Sequence, residues 1–274
     1  MEYLMQYETL AVSLADGVAR IEFNRPDKAN ALNARMWFEL KAACEWLDAT
    51  PTARVGVLSG RGRHFCAGID LAMLESLQQQ ALALPDGHRQ AHLREKIREL
   101  QACVTALEVC RKPVIAAIHG ACVGGGIDLI TACDFRYAAT DTRFCVKEID
   151  VAIVADVGTL QRLPRIVGEG VAREMAFTAR EYSAEEALGL RLVNRVFPDL
   201  AALEAAALET ARAIASKSPL AVRGTKETLN FSREHSVAEG LDEVAARNAG
   251  LLFAPDVAEA IAAQRARRPA VFQN

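Results

Sequence analysis

Residues 113–134 read PVIAAIHGACVGGGIDLITACD, and a change of pattern inside this stretch decides the fold. Pro113 to Ile118 is a short run of β-branched and small apolar residues bounded by Pro and Gly, the pattern of a strand buried on both faces. Gly124, Gly125 and Gly126 follow, and a helical pattern begins at about Ile127. The glycines let the backbone turn sharply, and the first turn of a helix leaves N–H groups without intrahelical acceptors at its positive end. An oxyanion held there meets preorganised donors, and removing one such donor costs roughly 3 to 4 kcal/mol of transition-state stabilisation. Asp128 falls in the first helical turn, close to whatever binds. The same residues also suit plain helix-on-strand packing, with the acid complementing the helix dipole by about 0.3 to 1 kcal/mol. A membrane span is disfavoured by Pro113, His119, Asp128 and the glycines.

Upstream, VGVLSG (55–60) reads as a buried strand, and FCAGID (65–70) repeats the logic of small residues and Gly before a helix start. Two such turns together make a two-donor oxyanion hole, which one alone does not. Residues 7–23 alternate around Ala15-Asp16-Gly17 and predict a hairpin. NRPDKANALN (24–33) is a polar loop leading into a helix over Ala34 to Ala49, with apolar residues at 36, 37, 40, 43, 44 and 47 on one face. Residues 76–92, containing QQQ and PDGH, read as an exposed irregular loop. His88 and His92 are spaced i, i+4 there, but no third ligand is evident and no metal is expected. From Leu93 the apolar spacing predicts an amphipathic helix ending near Pro113.

Downstream, FRYAAT (135–140) and TRFCV (142–146) read as strands. Residues 147–168 place Glu148, Asp150 and Asp156 in an apolar surround, where carboxylates acquire raised pKa values and serve as acids or bases near neutral pH. From about Val171 the pattern is mostly helical, with a capping box at Ser183 and Glu186 and helices near 200–216, 219–231, 236–252 and 255–265. The change from mixed βα to all-helix near residue 200 is the one candidate subdomain boundary.

With 51% hydrophobic and 24% charged residues over 274 positions, the chain reads as an ordinary globular protein with one large domain and a possible appendage. A net charge of -3 gives no electrostatic reason for a nucleic-acid partner, and RGRH (61–64) and RARR (265–268) read as solvated surface. Seven cysteines without a C-x-x-C pair point to small buried hydrophobes in a reducing compartment. The first residues resemble neither a secretory signal nor an organellar presequence, and AVFQN is not a peroxisomal address of the S-K-L kind. A cytoplasmic location is expected.

NRPDKANALN, FCAGIDL (65–71), KPVIAAIHGACVGGGIDL (112–129), GTLQRLPRIVG (158–168) and SAEEALGLRLVNRVFP (183–198) together resemble the enoyl-CoA hydratase/isomerase (crotonase) superfamily over nearly the whole chain. The resemblance implies an α/β fold: a core of repeated ββα units wound in a spiral over 1–200, then a helical trimerisation region over 201–274. It implies an acyl-CoA thioester substrate and a homo-oligomer, a trimer or a dimer of trimers, with no cofactor beyond the coenzyme A of the substrate. Ile69 and Gly125 match the oxyanion-hole donors. Lys28, Ala29, Ala67, Gly68 and Asp70 match positions along the CoA moiety.

Hydratases of this family carry glutamates at the positions of Asp128 and Glu148 and a glycine at that of Asp156. The set Asp128, Glu148 and Asp156 instead looks like the Δ3,5-Δ2,4-dienoyl-CoA isomerases. That implies conversion of a 3,5-dienoyl-CoA to a 2,4-dienoyl-CoA in the oxidation of unsaturated fatty acids. The expected roles are Asp156 as the base at C2, Glu148 as the acid at C6, and Asp128 as the neighbouring charge that keeps Glu148 protonated. The alternatives are 2-enoyl-CoA hydration, a Δ3,Δ2 shift, and a non-catalytic acyl-CoA-binding or scaffolding member. Superfamily membership alone does not choose among them.

Overall fold

The computed structural model describes residues 3–273. The expected hairpin forms from β2 (Leu10–Ala15) and β3 (Val18–Phe23). Asp16 and Gly17 both have positive φ, 52° and 77°, as a type I′ turn requires, and the register pairs Ala15 with Val18. A further strand, β1 (Tyr3–Gln6), pairs antiparallel with β2. After α1 (Ala34–Ala49), the sheet continues in parallel through β4 (Val55–Gly60), and then, past α2 (Leu71–Leu82) and α3 (Asp86–Val109), through β5 (Val114–Ile118).

The next winding contributes β6 (Ala121–Val123), α4 (Gly125–Ala132), β7 (Phe135–Ala139) and β8 (Arg143–Cys145). The chain then passes through α5 (Thr159–Val167), α6 (Glu169–Thr178), β9 (Tyr182–Ser183), α7 (Ala184–Gly189) and β10 (Arg195–Phe197). The large sheet has the order β1-β2-β3-β4-β5-β7-β10, and a small one has the order β6-β8-β9. Successive windings each give a strand to the large sheet, a short strand to the small one and then a helix: β5-β6-α4, then β7-β8-α5. This is the expected ββα spiral. The strand β6, unread in the sequence, is only ACV, too short to show a period, and α4 starts two residues before Ile127 because glycine adopts the first turn freely.

The parallel strands are buried on both faces, and their residues alternate between two cores. Leu58, Val114, Ala116 and Ile118 join α1, α3 and α4 on one side, while Val55, Val57, Ile115 and Ala117 face the other. That second face is closed by α8 (Leu200–Ala215), which lays down Leu203, Ala207, Ala211 and Ala215 at helical spacing. Thus the first helix beyond residue 200 is part of the layered core. It is followed by α9 (Pro219–Ser232), α10 (Val237–Leu251) and α11 (Pro255–Arg265).

The exposed loop expected over 76–92 is instead two helices, α2 and the start of α3, with a break only at residues 83–85. Gln, Leu, Ala and Arg are strong helix formers, and their polarity marks a solvated helix surface rather than irregular chain. Pro85 stands at the N-cap of α3, where its missing N–H costs nothing. No helix among the described residues is long and apolar enough to cross a membrane.

Lys226, a lysine within a helical pattern, is buried, at 5% exposed. From α9 its Nζ donates to the carbonyls of Leu107 (3.3 Å) and Lys112 (3.1 Å) and to Asp134 Oδ2 (2.8 Å). The same Oδ2 accepts the Val114 N–H at 2.7 Å, so this ammonium ties the C-terminal helices to the entry of β5. Replacing Lys226 by Met leaves the Asp134 carboxylate and two carbonyls without their donor. Because Asp134 is partly solvated, the loss of stability should be about 2 to 3 kcal/mol, read as a lower urea midpoint at unchanged slope.

Candidate active site

The FCAG turn and the triple-glycine turn meet through backbone hydrogen bonds. Cys66 and Cys122 form an isolated parallel bridge, with Cys66 N–H donating to Ala121 O and Val123 N–H to Cys66 O, each at 2.9 Å. Three residues past Cys66, Ile69 is bridged by Leu32 of the loop at 24–33: Leu32 N–H donates to Gly68 O (2.8 Å) and Asp70 N–H to Leu32 O (3.0 Å). In such a parallel bridge the N–H of Ile69 itself points away from Leu32. Neither it nor the Gly125 N–H has an acceptor among the described residues, whereas Gly68, Asp70, Gly124 and Ile127 donate within the chain. Two unused donors on adjoining turns are what an oxyanion hole needs.

Both turns require glycine. Gly68 has φ +90°, and a Cβ there would stand 3.0 Å from Val123 O and 3.6 Å from Gly125 N. Gly124, at φ +51° and ψ −116°, donates its N–H to Cys145 O at 2.9 Å. That bond carries the turn onto the end of β8, three residues before Glu148. A Cβ on Gly124 would lie 3.4 Å from Glu148 Oε1, so this carboxylate stands directly beside the oxyanion turn.

Asp128 is fully buried, and its Oδ1 accepts the Thr159 N–H at 2.6 Å, capping α5 from another element where Gly158 offers no side chain. Burial, opposed by that hydrogen bond and assisted by the Glu148 charge, pushes its pKa up to about 7. Burial also raises Glu148, with help from Asp156, and burial raises Asp156. Asp156 is solvent-exposed by surface area yet lies among enough protein to lose hydration. It borders a cavity of about 360 Å³ together with Gln101, Thr105 and Gln161, and its carbonyl accepts from Gln101 Nε2 at 2.7 Å. The expected coupling therefore exists with its emphasis reversed: Glu148 raises Asp128, and Asp128 is the most strongly shifted of the three. Asp150, read as a fourth candidate in the same apolar surround, is exposed and paired with Lys147 at 2.5 Å, outside the site.

The loop at 24–33 abuts the same turns. Lys28 is exposed at the end of a 3-10 turn, Ala29 is left-handed, and Ala67 N–H donates to Ala29 O at 3.0 Å. Asp70, expected along the CoA moiety, has other work: Oδ1 caps α2 through Ala72 N–H (3.1 Å) and Oδ2 pairs with Arg25 (3.0 Å). A second cavity, of about 500 Å³, opens beside Asp70 among Phe38, Met73, Leu77 and Leu100. No group of three or more His, Cys, Asp or Glu side chains able to hold a metal occurs among the described residues; His88 and His92 stand alone on α3.

Sequence reading missed Thr159 and Asn30. Asn30 is fully buried: its Oδ1 accepts Arg25 N–H (2.9 Å) and its Nδ2 donates to Arg61 O (2.9 Å) and His64 O (2.7 Å). The signal for Thr159 was the Gly-Thr helix start at 158–159, which lacks a capping side chain of its own.

A sequence profile described as enoyl-CoA hydratase/isomerase matches residues 13–273. The peroxisomal Delta(3,5)-Delta(2,4)-dienoyl-CoA isomerase of Arabidopsis thaliana is 48% identical, over 99% of this chain and 98% of its own. The mitochondrial protein of that name from Homo sapiens is 46% identical, over 94% of this chain and 79% of its own. The crystal structure of an enoyl-CoA hydratase from Bacillus anthracis superposes with a TM-score of 0.87 at 32% identity, covering 97% of this chain and 99% of that one. The profile takes in both turns, all three acids and the closing helices, and the chain belongs to the enoyl-CoA hydratase/isomerase family.

Proposed function

We propose that the protein is a Δ3,5-Δ2,4-dienoyl-CoA isomerase acting on an acyl-CoA thioester. The observation that carries this reading is Asp156, a second carboxylate that borders a cavity, is raised by burial and whose charge raises Glu148. The names of relatives at 46 and 48% identity agree with it. The thioester oxygen accepts from the N–H groups of Ile69 and Gly125, which stabilise the enolate without a metal or organic cofactor.

With the carbonyl so placed, Glu148 beside Gly124 stands next to C1 and C2, and Asp156 borders the cavity of about 360 Å³. This ordering supports Glu148 at C2 and Asp156 at C6, the reverse of the expectation from sequence. Glu148 carboxylate takes the C2 proton, and the C–H electron pair delocalises into the thioester oxygen and the diene. Protonated Asp156 then delivers its proton to C6, giving the 2,4-dienoyl product. The enzyme resets as Glu148 returns its proton to solvent and exposed Asp156 takes one up.

Asp128 Oδ2 and Glu148 Oε2 are buried and have no hydrogen-bond partner among the described residues. Burial favours the neutral form of Asp128, which spares Glu148 a neighbouring negative charge and so favours its ionised form as the base. Glu148 raises Asp128, whereas burial and the Asp156 charge raise Glu148.

A homo-oligomer belongs to this reading. Its support is apolar surface left bare on α10 and the turn that follows it, including Val237 (80% exposed), Leu241, Leu252 and Phe253 (92%). The cytoplasmic expectation draws no support from relatives named peroxisomal or mitochondrial.

The deciding assay follows dienoyl thioester absorbance from a 3,5-dienoyl-CoA beside hydration of a 2-enoyl-CoA. Fast dienoyl formation with little hydration is expected, and the opposite result would make Asp128 and Glu148 a hydratase pair. In D2O the product should carry deuterium at C6, whereas C2 hydrogen recovered there would point to a single carboxylate. Glu148→Gln and Asp156→Asn should each lower kcat by about 100-fold or more with KM nearly unchanged; wild-type turnover in either removes that residue from the shuttle.

Asp128 also makes a stability prediction. Its folded pKa of about 7 lies above the ordinary 3.8, so the neutral form suits the fold. Its contribution is whole below about pH 4 and declines as pH rises through 7, by an amount of the order of 4 kcal/mol. Asp128→Asn, uncharged throughout, should gain in urea midpoint relative to wild type between pH 4 and 8. Parallel profiles would mean that Asp128 is ionised in the fold.

A further inference from the structure

The segment His64 to Cys66 runs beside β6 as a short parallel ladder. Phe65 N–H donates to His119 O (2.8 Å), Cys66 N–H to Ala121 O and Val123 N–H to Cys66 O (2.9 Å each). Carried one rung back, a parallel ladder would bring Ala121 N–H to the His64 carbonyl. That carbonyl is instead taken by Asn30 Nδ2 at 2.7 Å, and Ala121 N–H donates to the His64 ring at Nδ1, at 3.1 Å. The imidazole replaces its own backbone carbonyl in the ladder. There is little slack here: Gly120, at φ +57°, leaves room for no Cβ, which would stand 2.8 Å from that Nδ1 and 2.1 Å from Arg63 O. His64 is thus half-buried and engaged, not the solvated surface that RGRH suggested.

We propose that His64 is a positioning residue for the oxyanion hole. Its unprotonated Nδ1 holds β6, and with it the Gly124–Gly125 turn, in register with the Ile69 turn, and frees the His64 carbonyl to anchor Asn30 and the loop at 24–33. An imidazole nitrogen accepts a hydrogen bond only while it carries no proton, so protonating His64 removes the rung. The charged and titratable groups around it are Arg61 and Arg63 on its own segment, His119 at the end of β5, and Asp141 and Arg143 beside Gly120. Of these, Arg61 is paired with Glu22, His119 Nε2 contacts Gly62 O at 3.0 Å, and Asp141 accepts the Gly120 N–H at 3.4 Å.

The inference rests on the oxyanion hole of the proposed isomerase, and an activity-independent reading separates the two. In His64→Leu, hydrogen exchange at the Ala121 amide should accelerate, and kcat should fall by about 10- to 100-fold with a smaller change in KM. His64→Asn places an untitratable acceptor near the position of Nδ1. It should restore most of the turnover and lack the component of acid-side loss that wild type owes to protonation of this ring. Wild-type amide exchange and kcat in His64→Leu would overturn the proposal. So would an unchanged acid limb in His64→Asn, which decides the matter should the leucine variant not fold. Absence of isomerase activity with faster Ala121 exchange in His64→Leu would sink the proposed reaction and leave the clamp standing.

Discussion

The site depends on one backbone bridge, the exchange of hydrogen bonds between Cys66 and the chain around Cys122. Two turns from separate windings each expose a free N–H, and neither N–H has a use unless the other is held at a fixed offset. Side chains long enough to span the gap would lose rotamer freedom to do so, whereas a parallel rung sets the offset with groups that are already rigid. The neighbouring rungs extend the same control outward: Leu32 to Ile69, Gly124 to Cys145, and the His64 ring to Ala121. Gly68 follows from this closeness, since a Cβ there would stand 3.0 Å from Val123 O, and Gly124 from its backbone at φ +51° and ψ −116°.

Around that rigid frame the acids are kept in unequal surroundings. Asp128 is sealed in the core with one oxygen committed to α5, Glu148 is half-buried against the glycine turn, and Asp156 reaches solvent. A graded loss of hydration raises all three carboxyls above their ordinary values, Asp128 most. Neighbouring charge modulates the order, but burial is the first cause in all three.

What was legible in the sequence is what local chemistry determines. Asp16-Gly17 can hardly be other than a hairpin turn, the capping box at Ser183 and Glu186 is present with both bonds, and both glycine turns lie where the pattern put them. The family resemblance supplied the spiral, which spacing alone does not. The unread parts are those in which distant segments supply the partner: Thr159 is 31 residues from Asp128, and Lys226 is 92 from Asp134. Glutamine-rich α2 was misread because polarity was taken for irregularity, and β6 because three residues show no period. The proposed order of the two acids has no signature in a linear spacing of eight and is argued from Glu148 standing beside Gly124.

The Lys226 ammonium has a consequence for the life of the chain before it is an enzyme. The carbonyls of Leu107 and Lys112 and the Asp134 carboxylate wait for a donor that is synthesised last among them. Arg54, beside β4, likewise donates to the carbonyls of Ala215 and Phe272. A ribosome that has released only the spiral therefore exposes a sheet face without α8 and a polar pocket without its cation. Native closure is confined to the moments after the C-terminal helices emerge, and until then the nascent chain is a natural client for chaperones.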